Sequence, residues 1–170
     1  AQSISEGLAR NVLSAKFNSQ TVEVSTPLNE NGAIQLFTWN EKEGKTAFWH
    51  SSAHILAQSL LALYPTAKLT IGPAIENGFY YDVDFGDLSF SENDLKGLED
   101  QFLIFARQKF EFKMRSCSKA DALTFYKEEN NPFKVELIEN LEAKISNGEY
   151  EVKVDAAVEK LKDRVEWNQE

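Results

Sequence analysis

The chain has 170 residues, 42% of them hydrophobic with twelve phenylalanines, enough apolar surface to build a packed core in one domain of ordinary size or two small ones. A charged fraction of 26% excludes wholesale disorder, and no apolar run approaches the roughly 18 residues of a membrane span. The formal net charge of −9 speaks against a surface that grips nucleic acid by bulk attraction, although a chain handling only the end of an RNA needs no basic excess.

The opening residues predict a helix with Ile4, Leu8, Val12 and Leu13 on one face. Asn18 and Ser19 then mark a turn, "QTVEVS" alternates like a half-buried strand, residues 27–32 read as loop, and "AIQLFTW" as a second strand. One helix and two short strands bury little surface, so residues 1–40 read as a small α+β module that lacks an element before Ala1. The absence of a methionine before Ala1 reads as an N-terminal trim. The charged stretch "NEKEGK", Asn40 to Lys45, is expected to be a hinge and a domain boundary.

A helix follows from about Thr46 to Leu63, with Ala53, Leu56, Ala57, Leu60 and Leu61 at helical spacing and Tyr64-Pro65 ending it. "AKLTIGPAIENGFYYDVDF" predicts two strands joined through "GPAIENG", with Asn77-Gly78 as the turn signal. Ser91 to Phe110 is expected to form an amphipathic helix capped by "SEND", its apolar face carrying Leu95, Leu98, Phe102, Phe105, Ala106 and Phe110. "FEFKMRSCS" reads as a strand and "SKADALTFYKEE" as a short helix capped by Ser118. Residues 130–132 break the chain, and "FKVELIENL" resumes as helix or strand. The end of the chain reads as a strand, "EYEVKV", and a helix opened by Asp155. The single cysteine, Cys117, rules out an internal disulfide framework and multi-cysteine zinc sites, and fits the reducing cytoplasm.

The only two histidines, His50 and His54, stand four residues apart, so on a helix they share one face about a turn apart. Such a pair can hold a metal, a water or a substrate oxygen. The intervening Ser51, Ser52 and Ala53 lack the glutamate of the zinc-peptidase pattern. Chance placement of two polar residues on one face stays open beside these readings, although Phe48 and Trp49 point to a partly buried setting where imidazoles need a purpose. "IGPAIENGFYYD" reads equally as hairpin chemistry with an aromatic core, and Gly72 and Gly78 have no phosphate-loop spacing. Lys134, after a Pro-Phe corner, reads as surface on these grounds alone.

"EGKTAFWHSSAHILAQSLLALYP" followed by "LTIGPAIENGFYYDVDF" resembles the editing domain of the threonyl-tRNA synthetase family. "SENDLKGLEDQFLIFARQKFEFKM" is similar to the helix that follows it there, and "NPFKVELIENL" to the family's YKxxL segment. Residues 1–39 are similar to the later part of the ubiquitin-like TGS domain. The resemblance covers about Ala1 to Leu141, and it implies an α+β fold. A TGS module at 1–40, without its first hairpin, would precede an editing domain at 46–141 with helices packed on an antiparallel sheet. Residues 142–170 remain an unassigned strand–helix tail.

By that resemblance the chain would remove serine wrongly esterified to tRNA(Thr), because one extra carbon gives a binding pocket only about 10–200-fold selectivity. His50 and His54 match the family's histidine pair, Lys134 its motif lysine, and Tyr81 and Asp82 its hairpin. The resemblance implies that the histidines position the ribose and the attacking water, that Lys134 steadies the developing charge, and that Tyr81 and Asp82 bind substrate. The family's "CRGPH"-type segment is absent, so the editing site is expected to be incomplete. Charging would reside in domains outside this chain, and with it ATP, zinc and homodimer contacts; no cofactor is expected here. The expected partners are the tRNA(Thr) acceptor end and its seryl ester, with no membrane. Two alternatives stand beside this reading: a non-catalytic RNA-end or regulatory module of the same fold, and a hydrolase with zinc on His50 and His54.

Overall fold

A computed structural model describes residues 1–110, 112 and 117–146. It is a mixture of helices and antiparallel strands, in agreement with an α+β class. The described residues divide into two compact units, one formed by Ala1–Leu63 with Ile71–Asp82, the other by Tyr64–Thr70 with the described residues from Val83 onward.

In the first unit, helix α1 (Glu6–Asn11) begins where the Ser5 hydroxyl accepts the Leu8 N–H at 3.1 Å. It is shorter than the apolar spacing predicts. Ile4 lies before it and is exposed, and Val12 is already extended. The chain turns at once into strand β1 (Ser14–Phe17), which pairs with β2 (Gln20–Val22) and with β3 (Ile34–Phe37) in the order β2-β1-β3. "SAKF" therefore forms the central strand, where the helical reading ran straight through it. Its polar–apolar alternation (Ser14, Ala15, Lys16, Phe17) lasts only four residues, directly after a helical spacing, and pairing on both edges decides its state. The predicted turn at Asn18 and Ser19 is present, with both residues at positive φ (46° and 71°), the geometry that joins twisted strands by two residues. Asn18 also accepts the Ala33 N–H through Oδ1 at 3.0 Å, holding the start of β3 to that turn.

Helix α2 (Lys42–Leu63) is the long element of this unit and ends where Tyr64-Pro65 was expected to end it. Its start corrects the hinge expected at Asn40 to Lys45. Lys42 to Lys45 are helical, Gly44 is buried, and a Cβ on residue 44 would run into the Thr38 carbonyl. Glu41 reaches back to accept the Thr38 N–H at 2.6 Å and its hydroxyl at 2.9 Å, which fixes the entry to the helix. These same bonds, the backbone one first, hold the Glu41 carboxyl below the usual carboxylate range. Charge-rich composition had masked the capping spacing Thr38-x-x-Glu41. The buried side of α2 carries Leu60 and the small residues Ser52, Ala53, Ala57 and Ser59, which let strands approach closely. Ser52 and Ser59 satisfy their hydroxyls on the carbonyls of Phe48 and Ile55.

The region expected to form two strands joined through residues 72–78 forms four short ones in two ladders. Strand β4 (Lys68–Leu69) pairs with β7 (Val83–Asp84), and β5 (Ala74–Ile75) pairs with β6 (Gly78–Phe79). Pro73 and the glycines interrupt longer pairing. The tight turn is Glu76-Asn77, one residue earlier than the Asn77-Gly78 signal, with Gly78 at φ 149° as the first residue of β6.

The second unit contains the β4–β7 ladder and three helices. Helix α3 (Glu92–Gln108) starts as predicted, the Asp94 carboxylate accepting from the Ser91 N–H at 2.8 Å and its hydroxyl at 2.7 Å. Of its predicted apolar face Leu98 is buried, whereas Leu95 and Phe110 stay exposed. The aromatic rings of Tyr64, Phe85 and Phe90 pack together beside it, Phe85 and Phe90 stacked at 4.8 Å. The strand expected at 110–118 lies largely outside the described residues, as do the strand and helix expected after residue 146.

Helix α4 (Lys119–Glu128) has the predicted cap, Ser118 accepting the Asp121 N–H at 3.1 Å. Ser118→Ala removes that acceptor and is expected to lower stability by about 1 kcal/mol, read from urea unfolding midpoints. The break at 130–132 is a helix-to-helix turn with Asn130 in the left-handed region (φ 50°), and "FKVELIENL" is part of helix α5 (Pro132–Ser146). Ala122, Tyr126 and Ile138 form the buried contact of α4 with α5, flanked by Leu123, Phe125 and Val135.

Candidate functional site

Periodicity along α2 places His50 and His54 on one face, and the structure brings their rings together. Nε2 of His54 lies 3.1 Å from Nε2 of His50, with the ring planes at 88° and their centroids 4.6 Å apart. Both side chains are half-buried. The contact requires one nitrogen that carries hydrogen and one that offers a lone pair, so at least one ring is neutral whenever it forms. Each Nε2 has a single in-plane site, taken here by the other ring; were the rings to part, the two atoms would bind the same water or hydroxyl and could move a proton between them. Their separation also approximates that of two imidazoles on one tetrahedral ion at about 2.0–2.1 Å from each nitrogen. Among the described residues, however, no third histidine, cysteine or carboxylate gathers with them.

The helix carrying the pair is fixed by its neighbour Trp49. That ring meets Phe48 at 5.1 Å, Trp39 at 5.5 Å and, on the β5–β6 hairpin, Phe79 at 6.2 Å. Lys45 stands over Trp39, 5.8 Å from the ring centroid. The Trp49 Nε1–H is buried with no hydrogen-bond partner among the described residues. Of Phe48 and Trp49, read from sequence as a hint of burial, Trp49 forms the packing between the histidine helix and the hairpin, whereas Phe48 is exposed and meets Trp39 and Trp49.

Tyr81 and Asp82 belong to that hairpin. The Asp82 N–H donates to the Ile71 carbonyl at 3.0 Å, in the same register that pairs Ala74 with Phe79 and Ile75 with Gly78. Gly72 and Tyr81 therefore face one another, and the Tyr81 ring occupies the space a Cβ on residue 72 would need. The glycine in "IGP" serves a ring placement rather than a phosphate loop. Tyr81 is half-buried and Asp82 exposed.

Lys134 lies in the second unit, in the first turn of α5. It is half-buried rather than on the surface, and burial lowers its amine to about 8 from an ordinary 10.5. Sequence reasoning missed Asn131, which was read only as part of a chain break. Its Oδ1 accepts the Lys134 N–H at 3.2 Å and its Nδ2 donates to the Leu69 carbonyl at 3.1 Å. The signal available beforehand was Asn-Pro before an apolar run, a helix cap followed by proline at the first helical position.

No protein-family model matches the chain. Curated relatives do. The threonine–tRNA ligase of Flavobacterium johnsoniae is 59% identical over 142 residues, and that of Flavobacterium psychrophilum 58% over 142. The enzyme of Cytophaga hutchinsonii is 51% identical over 141 residues. The chain is a relative of the threonine–tRNA ligases. The similarity takes in 83–84% of the chain and 22% of each ligase, so the chain spans less than a quarter of those relatives' length. The family resemblance drawn from the histidine helix and the hairpin is borne out by this relationship. No helix among the described residues is long and apolar enough to cross a membrane.

Proposed function

We propose that this chain is the N-terminal, proofreading part of a threonine–tRNA ligase, which hydrolyses serine from mischarged tRNA(Thr) in the cytoplasm. In this reading residues 1–40 are the remainder of a TGS module and 46–141 an editing domain. Charging of tRNA, with its ATP, zinc and dimer contacts, belongs to other parts of the enzyme. The observation that carries the reading is the convergence of the His50 and His54 Nε2 atoms at 3.1 Å on one helix face, because two imidazoles that part around a water make the shared site that ester hydrolysis by water needs. The terminal ribose and the attacking water would sit at the two Nε2 atoms, with Tyr81 and Asp82 contacting the seryl ester. Lys134 would meet the negative charge that grows on the ester oxygen. Discrimination would come from exclusion of the methyl group that distinguishes threonine from serine.

The test is an imidazole NMR titration with non-hydrolysable seryl- and threonyl-adenosine analogues, the two histidine spectra being assigned by His50→Ala and His54→Ala. Both imidazole signals are expected to move with the seryl analogue and hardly at all with the threonyl one. In parallel, each alanine variant is expected to lower hydrolysis of seryl-tRNA(Thr) about 10²-fold or more. A spectrum that neither analogue moves would overturn the proposal. RNA binding with no hydrolysis in the native chain would favour the non-catalytic module instead.

A further inference from the structure

Asn131 joins three elements through its side chain and backbone. Its N–H donates to the Tyr126 carbonyl at the end of α4 (2.9 Å), its Nδ2 donates to Leu69 on β4, and its Oδ1 caps α5 at the Lys134 N–H. A carboxamide is the smallest side chain that can both accept at a helix N-terminus and donate to a strand 62 residues away in sequence. A cap alone would need neither the donor nor its length, since serine and aspartate serve as well.

We propose that Asn131 is a positioning residue for Lys134: by tying the first turn of α5 to the Leu69 carbonyl, it holds the lysine amine in its water-poor place. The inference rests on the reading that Lys134 serves ester hydrolysis, but the placement itself can be tested without turnover. Lys134 is three residues along the helix from Asn131, on the turn whose N–H groups the carboxamide orders. Were the tie to Leu69 cut, the turn could lift from β4 and let water reach the amine. The charged groups on the elements packed against α5 are Lys68 on β4 and Lys119, Asp121, Lys127 and Glu128 on α4. Helix α5 itself adds Glu136 and Glu139. Burial, rather than any of these charges, is what depresses the amine, so access of water is the quantity that Asn131 controls.

The variant that separates tie from cap is Asn131→Ser, whose hydroxyl can still accept from the Lys134 N–H but is too short to reach Leu69. The measurement is a ¹³C NMR titration of the lysine side chains in the whole chain, with the Lys134 signal assigned by Lys134→Arg. The native midpoint is expected near 8, and the serine variant is expected to move it upward by about a unit or more toward the ordinary 10.5. Far-ultraviolet circular dichroism should show α5 still formed. In a chain that hydrolyses the seryl ester, the same variant is expected to lower kcat about tenfold with KM unchanged. Asn131→Thr supplies a second variant with the same loss of reach should the first not fold. A midpoint that stays near 8 in a folded variant overturns the proposal. A native chain without hydrolysis would sink the reading of Lys134 as catalytic while leaving the midpoint test of the tie intact.

Discussion

Lys134→Met is expected to stabilise the folded chain at pH 7 by about 1–3 kcal/mol and, under the proposed editing function, to reduce ester hydrolysis about 10²–10³-fold. The two effects have one cause. Burial holds the amine near 8 in the folded chain, whereas an unfolded lysine titrates near 10.5. Below pH 8 both states are protonated, and folding carries the full cost of placing an ammonium where water is scarce. Between pH 8 and 10.5 the folded lysine has released its proton and the unfolded one has not, so stability rises with pH. Above 10.5 both are neutral and the cost is gone. Methionine has similar length and no charge, so it removes the cost at every pH and fills the same space. The lower part of the energy range applies because the side chain is half-buried and keeps some hydration. Urea unfolding of both proteins across pH 7–11 measures this directly. The stability difference should shrink as pH passes from 8 to 10.5, and a methionine variant that is less stable at pH 7 would show that the amine is paired rather than merely dry. A residue that costs stability and carries activity is the expected signature of a working site.

Gly44→Ala is expected to destabilise the chain by about 2 kcal/mol or more, although alanine is the better helix former by about 1 kcal/mol. The added Cβ meets the backbone carbonyl of Thr38, which cannot move without disturbing the hydrogen bonds from Thr38 to Glu41 that start α2. The histidine helix would shift against β3, and the His50–His54 face would shift with it. Gly97→Ala in α3 is the control, because no atom of the described residues lies within 4 Å of a Cβ there. That variant should gain up to about 1 kcal/mol from helix propensity alone. Thermal unfolding of the two variants should therefore move in opposite directions, and a stabilised Gly44→Ala would show that α2 begins freely of Thr38.

Much of the architecture was legible in the residues themselves where the information is local. Helix α3 with its Ser91 cap, helix α4 with its Ser118 cap, the Asn18-Ser19 turn and the shared face of His50 and His54 depend on spacing within a few residues. Each was readable because capping bonds, positive-φ turns and the helical repeat are short-range physics. The tertiary structure alone decided what depends on partners distant in sequence. "SAKF" became the central strand because two other strands pair with it, and Gly44 entered a helix because Thr38 closes against it. Lys134 lost part of its hydration through packing, and Asn131 found its acceptor on Leu69. Desolvation and long-range hydrogen bonding have no period along a chain, so the pairing of the histidines could be read in advance, whereas the dryness of the lysine emerged only with the fold.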